Sequence, residues 1–420
     1  MNPLVSMAFR NVLRNRRRTL ITLAAVVIGV AAVGIIRGVL NGLQDSIVRM
    51  TVDGTLGALQ IHRTGYMANV LSTPLSLDFE ADEALLSKVR SVKGVTAIAP
   101  RLQFAGSLTL SVPEAKGPGA DGVGGEAEAP EAVFFAAVAV DPVLEPKVCP
   151  QRFKLYSEGA VLDETHLVLG DGLATALGAK TDDEAVILAP DRDGSLNGEL
   201  GRVGGVMHAM MPGEMKIAVV PLGLAQRLLR MDNKVTELAV AVDDLKDIPR
   251  IADELRAVLG PQYEVHSWDE LAPERKTIMG IQNGISGVVS VVFMMLMLLG
   301  VANTMLMSVL ERTREVGTMM AVGVTRASVM TLFLLEALVM GVLGALGGLV
   351  LMSVVTFGLA SRGIHVRPPG ASIPLEVIPF MTARFTGVVL FAAIAGAAVF
   401  ALYPAFRASR LRPVQALAGR

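Results

Sequence analysis

The sequence predicts a four-helix transmembrane protein with a large α+β extracytoplasmic domain inserted between the first and second spans. Three observations lead there. Four blocks stay apolar for long enough to cross a bilayer, which takes about 20 mostly apolar residues in a helix. Lys and Arg gather beside the block ends that this topology leaves in the cytoplasm. The stretch between the first two blocks, residues 38–278, has the mixed composition of a soluble domain. Over all 420 residues the apolar set is 52% and charged residues only 18%, against about 25% charged in a soluble domain.

Residues 1–19 read as a cytoplasmic amphipathic helix, with Arg10, Arg14, Arg16, Arg17 and Arg18 and no acid. The first span, 20–37, opens with LITLAAVVIGVAAVGII and carries no charge before Arg37. Its rival reading is a cleaved signal peptide. The long apolar run, the lack of a small-residue cleavage site and the helical pattern beyond Arg37 speak against that. Leu40, Leu43, Ile47 and Met50 then recur on one face, which predicts a stalk continuing outward.

Two similar units follow. One is a helix near 82–92, then Gly94, then a strand at 95–99. The other is a helix near 247–259, then Gly260, then a strand at 263–266. With strands expected at 133–140 and 237–242, they predict an α+β layer around a β-rich insertion at about 141–220. Residues 113–131 are mostly Gly, Pro, Ala and acid, and predict a mobile loop. The second span is 279–310, the cytoplasmic loop 311–328, the third span 329–359, the outer loop 360–385 and the fourth span 386–406. The tail, 407–420, carries Arg407, Arg410, Arg412 and Arg420 and is placed in the cytoplasm. Small residues lie four apart at Ala25 and Gly29, Gly344 and Gly348, and Ala392 and Gly396. Such spacing permits close helix packing, within the chain or between chains.

The residues offer little for catalysis. A net charge of −1 argues against a nucleic-acid partner. The lone Cys149 excludes an intrachain disulfide and reads as a small buried residue. The five histidines have no metal-ligand spacing. The run GLATALGAKT at 172–181 approaches a phosphate loop, but Ala179 separates Gly178 from Lys180, so it reads as a helix ended by a glycine turn. No catalytic, cofactor or metal residue is expected on this chain. Glu336, ionisable within the third span, is a functional candidate by position. Its expected partners are Asn303 of the second span or a cytoplasmic Arg. The loop ERTREVGTMMAVGVTRAS, 311–328, sets charges before an apolar patch of Val316, Met319, Met320 and Val322. That pattern suits a short helix docking into a partner's groove.

At this point a family becomes visible. The run NTMLMSVLERTREVGTMMAVGVTRASVMTLFLLEALVMGVLGALGG (303–348) and the ending YPAFRASRLRPVQAL (403–417) resemble the signature of the FtsX/MacB superfamily of ABC-transporter permeases. The start AFRNVLRNRRRTLIT resembles the helix before that superfamily's first span, and the order of spans matches. Within it, LGALQIHRTGY (56–66) and EVHSWDELAP (264–273) look more like the lipoprotein-releasing LolC/LolE type than like MacB pumps.

The resemblance implies a MacB/LolC/LolE-like permease in the bacterial inner membrane, with both termini cytoplasmic and the large domain periplasmic. It implies a second permease copy or paralogue, a separate cytoplasmic ATPase dimer holding ATP and Mg, and mechanotransmission through stalk helices. It also implies that the 311–328 loop is a coupling helix, with Glu311, Arg312, Arg314, Glu315, Val316, Met319 and Met320 meeting the ATPase. The expected cargo is a lipoprotein or another hydrophobic molecule in the periplasmic leaflet, and the expected periplasmic partner is a chaperone or an adaptor. The alternatives are efflux with an adaptor protein and FtsX-like regulation of cell-wall hydrolases.

Overall fold

The structure is a computed structural model. It describes Met7 and residues 16–111, 132–209, 215–367, 372 and 374–410. Most of the expected N-terminal helix, the 113–131 loop and the tail beyond 410 lie outside the described residues. The chain divides into two units. An α+β unit comprises 47–276 with 365–375, and a helical unit comprises the rest.

Helix α1 (Arg16–Thr51) leads in and ends in a π-helical turn, Val52–Leu56. The α+β unit follows as β1 (Leu59–Arg63), β2 (Phe79–Glu80), α2 (Glu83–Arg90), β3 (Val95–Leu110), β4 (Val133–Val140) and α3 (Glu145–Val148). Next come β5 (His166–Gly170), α4 (Asp171–Leu177), β6 (Glu184–Pro190), β7 (Leu196–Met207), β8 (Ile217–Pro221) and α5 (Leu222–Leu229). It closes with β9 (Lys234–Val235), β10 (Glu237–Val242), α6 (Ile248–Leu259), β11 (Tyr263–Ser267) and α7 (Trp268–Leu271).

Strand β3 organises this unit because it is long enough to serve two layers. Its first half joins an antiparallel sheet in the order β11-β1-β10-β3. Its second half pairs with β4 on one side and β6 on the other. The pairings β4–β8, β8–β5, β5–β7 and β7–β6 then close a ring of strands. The β-rich insertion is therefore a small barrel, filled by residues such as Leu102, Phe104, Phe135, Leu167, Leu169 and Ile187.

The open sheet has two unlike faces, as the period of two in a strand requires. On one, Leu59, Ile61, Ile98, Leu238 and Val240 pack under α2 and α6, which contribute Leu85, Val89, Ile251 and Leu255. Asp82 caps α2 by accepting from Leu85 N at 2.7 Å. Each large apolar side chain buried here contributes about 1.5–3 kcal/mol. The other face carries Ala97, Ala99, Ala239 and Ala241 beneath α3, with Val148 and Cys149. These small side chains let a four-residue helix sit close.

The helical unit holds the first part of α1, then α8 (Pro273–Glu311), α9 (Thr313–Ala321), α10 (Arg326–Ala360) and α11 (Ala383–Ser409). Among the described residues, four helices are long and apolar enough to span a membrane. Four of the small residues singled out in the sequence, Gly29, Gly344, Gly348 and Gly396, pack inside the chain, whereas Ala25 is exposed. A Cβ on Gly344 or Gly348 would lie 2.2 Å from Val26 or 2.6 Å from Val30 of α1. One on Gly29 would lie 2.9 Å from Met297, and one on Gly396 would lie 2.7 Å from Leu298. Ala393, Ala397, Ala401, Ala405 and Ala408 form a buried stripe along α11. Side chains such as Ile28, Ile285, Val350, Val354 and Phe391 remain exposed on the outside of the bundle, where lipid is the matching solvent.

Candidate functional site

Two places concentrate polar groups where the fold makes them costly. The first is the turn between α8 and α9. Arg312 breaks the helix and donates from Nη1 to Glu336 Oε1 of α10 at 2.8 Å. Its Nε reaches Glu315 Oε2 at 3.0 Å, and its guanidinium lies 5.7 Å from the centre of the Phe333 ring. Of the two partners expected for Glu336, the structure supplies the arginine, while Asn303 is exposed on α8. The ion pair fastens the 311–328 segment to α10.

The segment is a short helix, but its apolar face does not point as the sequence led one to expect. Val316 is 0% exposed, packed in one cluster with Val309, Val329, Phe333, Ala405 and Ala408. Met319 and Met320 are half-buried against that cluster. This corrects the expectation that Val316 reaches a partner. A helix tied down at Arg312 covers its apolar stripe on its own spans first. What faces outward is Glu311, Arg314, Glu315 and Thr318. Beyond the helix, Val322 (84% exposed) and Val324 flank Gly323, whose φ of 103° makes the turn.

The second place was not legible in the sequence. It lies on the α3 face of the open sheet, where Arg101 of β3 stands directly opposite Glu237 of β10. Arg101 is 1% exposed. Its Nε and Nη2 grip both oxygens of Glu145 at 2.9 and 2.7 Å. Its Nη1 reaches Glu237 Oε1 at 2.9 Å and the carbonyls of Thr55 and Leu56 at 3.1 and 3.2 Å. Arg152 adds bonds to the Gly54 and Thr55 carbonyls at 3.2 and 2.5 Å. Gln103 donates to the second oxygen of Glu237 at 2.6 Å. Two guanidiniums thus cap the carbonyl end of the π-turn after α1, where the helix dipole is negative.

Burial alone would raise the Glu145 carboxyl, but Arg101 and Arg152 overcome it and hold the group below the ordinary carboxylate range. Burial pushes the Cys149 thiol up, in keeping with a small inert core residue. Beside the cluster, His62 stacks on Tyr66 at 4.3 Å. Burial lowers its imidazole pKa against the opposing pull of Glu237. The only sequence signal was a parity: Arg101 and Gln103 continue the Ala97, Ala99 side of β3, and Glu237 begins the Ala239, Ala241 side of β10. The run near a phosphate loop is α4 ended by Gly178 in the left-handed region, φ 62°.

Comparison with known proteins bears on both places. A family model described as MacB-like periplasmic core domain matches residues 19–258, and one described as FtsX-like permease C-terminal matches 287–413. The pyoverdine export ATP-binding/permease protein PvdT of Pseudomonas fluorescens is 27% identical over 98% of this chain and 59% of its own length. The macrolide export ATP-binding/permease protein MacB of Hyphomonas neptunium is 33% identical over 48% of this chain, and the match spans 30% of that relative. The ABC transporter permease YknZ of Bacillus subtilis is 32% identical over 37% of this chain and 36% of its own. The crystal structure of the periplasmic region of MacB from Actinobacillus actinomycetemcomitans aligns over 55% of this chain and 98% of that one, at 10% identity and a TM-score of 0.34. With its four membrane-length helices and a large domain of the periplasmic type, the chain belongs to the FtsX-like ABC transporter permeases that carry a MacB-like periplasmic core domain.

Proposed function

We propose that this permease is a non-catalytic subunit that couples ATP hydrolysis on a separate cytoplasmic ATPase dimer, loaded with ATP and Mg, to movement of its periplasmic domain. Both termini are cytoplasmic in this reading, and the cargo is a hydrophobic or amphipathic molecule taken from the periplasmic side of the membrane. The observation that carries it is the 311–328 segment. Its inner face is held by Arg312, Glu336 and Val316, so its outer face of Glu311, Arg314, Glu315 and Val322 is presented on a fixed support. The rim charges set orientation. Met319 and Met320 contribute only their exposed parts. A second copy or paralogue would cover the exposed Asn303 of α8 next to Gly300, above which space is open. A polar side chain facing lipid gains from such a partner.

The functions of the relatives, macrolide and pyoverdine export, favour efflux with a periplasmic adaptor. Lipoprotein release to a chaperone is the second reading. The two segments that resemble lipoprotein-releasing permeases lie side by side, since β1 and β11 pair from Leu59↔Ser267 to Arg63↔Tyr263. The large periplasmic domain favours cargo handling over FtsX-like regulation of hydrolases. Capture of an adaptor or of a lipoprotein chaperone by the full chain separates the two transport readings.

The coupling reading is tested with Val322→Asp. Burial of one exposed large apolar side chain is worth about 1.5–3 kcal/mol, so ATPase co-purification and ATP-driven cargo release should fall about tenfold or more. Insertion and yield of the permease should stay normal, because Val322 touches little of its own chain. Wild-type values of both readouts would overturn the proposal. Met319→Asp serves as a contrast, since it should also destabilise the helical unit.

A further inference from the structure

The barrel leaves one stretch of strand with an open edge. Strand β7 pairs with β6 from Pro190↔Leu196 to Glu184↔Arg202, but with β5 only from Arg202 onward. Two hydrogen bonds show which groups point to the open side. Val203 N donates toward β6, to Asp183 O at 2.9 Å, and Arg202 N donates the other way, to Thr165 O at 3.0 Å. Main-chain groups alternate along an antiparallel strand, so the N–H and C=O of Leu196, Gly198 and Leu200 face the open edge. Among the described residues, no hydrogen bond is made to them there. Their side chains share one face, on which Leu196 is 68% and Leu200 65% exposed. Such an edge is a template for another strand, and native edges are usually blunted by a charge, a proline or a bulge. This one is not: its pairing with β6 runs without a shift of register, and Glu199 lies on the opposite face.

We infer that this edge pairs, antiparallel and centred on Gly198, with the same edge of a second copy of the chain. The run Leu196-Asn197-Gly198-Glu199-Leu200 is nearly symmetric about its middle, as a twofold contact between identical strands requires. Leu196 faces the partner's Leu200, Asn197 the partner's Glu199, and Gly198 the partner's Gly198. Apolar side chains then meet on one face, and no two like charges stand opposite each other. A shift by two residues sets a leucine against a glycine in either sense, and in one sense sets Glu199 against the partner's Glu199. Gly198 suits the centre, where side chains related by the twofold would collide. The surface there is supplied by Leu188, whose Cδ2 would lie 2.9 Å from a Cβ on Gly198. Half-buried Val186 and Leu188 of β6, opposite Leu200 and Gly198, extend the apolar strip inward from the edge. Pairing stops at Arg202, whose N–H Thr165 already occupies. The inference needs a second copy of this chain, but neither the ATPase nor the contact suggested at Asn303, so it stands apart from the coupling proposal.

The test is disulfide cross-linking of the full chain in membrane vesicles without nucleotide, with the wild-type chain as the blank for buried Cys149. Gly198→Cys should give a linked dimer on mild oxidation. Facing residues that exchange both bonds have Cα atoms about 5.5 Å apart, within the span of about 4.4–6.8 Å that a disulfide bridges. Leu196→Cys by itself should give little, because its copies would be offset by four positions at about 3.4 Å each. Adding Leu196→Lys and Leu200→Lys to the Gly198→Cys chain sets like charges opposite each other and should lower the yield about tenfold. The unfolding midpoint should stay near wild type, since both side chains already face water. Co-expression with a differently tagged Gly198→Cys chain carrying Leu196→Glu and Leu200→Glu should restore a mixed dimer. Should Gly198→Cys fail to fold, a Leu196→Cys chain and a tagged Leu200→Cys chain should link to each other and neither to itself. No linked dimer, or equal yields at Gly198 and Leu196, would overturn the inference. So would a yield unchanged by the two lysines, or a cross-link to a different protein in place of the second copy.

Discussion

The α+β unit and the helical unit each bury an arginine–glutamate contact, and they do so differently. In the first, Arg101 and Glu145 are 1% and 0% exposed, and Arg101 spends its donors on two carboxylates, two carbonyls and a thiol. In the second, Arg312 and Glu336 are 13% and 6% exposed and share one bond of 2.8 Å, while Arg312 keeps Glu315 in reach. Taking charges out of water costs several kcal/mol per ion, and only good geometry with further hydrogen bonds offsets it. The Arg101 cluster meets that condition by using nearly every donor, so it acts as a permanent joint. The Arg312 pair lies nearer the surface, where Arg312 also reaches Glu315 and the Phe333 ring.

Breaking each contact should expose the difference. The largest effect is expected from Arg101→Met, which leaves two buried carboxylates and the Thr55 and Leu56 carbonyls short of donors. The loss should be about 3–5 kcal/mol, equivalent to a fall of about 6–20 °C in the unfolding midpoint of the α+β unit. Protease protection of that unit in the full chain measures it. A fall of under about 2 °C would show that the cluster is no joint. Glu336→Gln comes next, at about 1.5–3 kcal/mol for one charged hydrogen bond, reduced by the contacts Arg312 keeps with Glu315 and Phe333. The permease should stay folded, while, on the proposed coupling, stimulation of an added ATPase subunit drops. An unfolded variant would place this pair in the same class as Arg101.

The smallest effect is a pH dependence. The His62 imidazole is held below its ordinary pKa of about 6.5 by burial, with Glu237 and Glu264 pulling up and His266 pushing down. Between the lowered value and the ordinary one the unfolded chain binds more protons than the folded chain, so stability falls as pH drops through that window. His62→Gln should flatten the midpoint–pH curve there. Glu145, also held low, acts in the same direction at more acidic pH and should leave the neutral range unaffected. A wild-type midpoint that rises on mild acidification would reverse the assignment for His62.

Much of the architecture was written locally. Twenty apolar residues in a row must leave water, and the positions of the four blocks, the stalk pattern after Arg37 and the helix–Gly–strand units all follow from spacing along the chain. The strand at Val133–Val140 and the helix ending at Leu259 could be read to the residue, because their periodicity and stop signals lie within a few positions. The small-residue pairs could be found, but only packing decided that Gly344 and Gly348 seat Val26 and Val30 of the same chain. Val316 was misjudged for the same reason. An apolar side chain between two spans has two possible destinations, and the inward one was fixed by Arg312 meeting Glu336, 24 residues away. Arg101, Glu145 and Glu237 lie 44 and 136 residues apart in pairs with Arg101 and share no local pattern. Their cluster exists because the open sheet sets β3 beside β10 in one register and leaves the α3 face narrow. Pairing across such distances is decided by strand register and burial, which depend on the whole chain, whereas hydrophobic length and period depend only on neighbours.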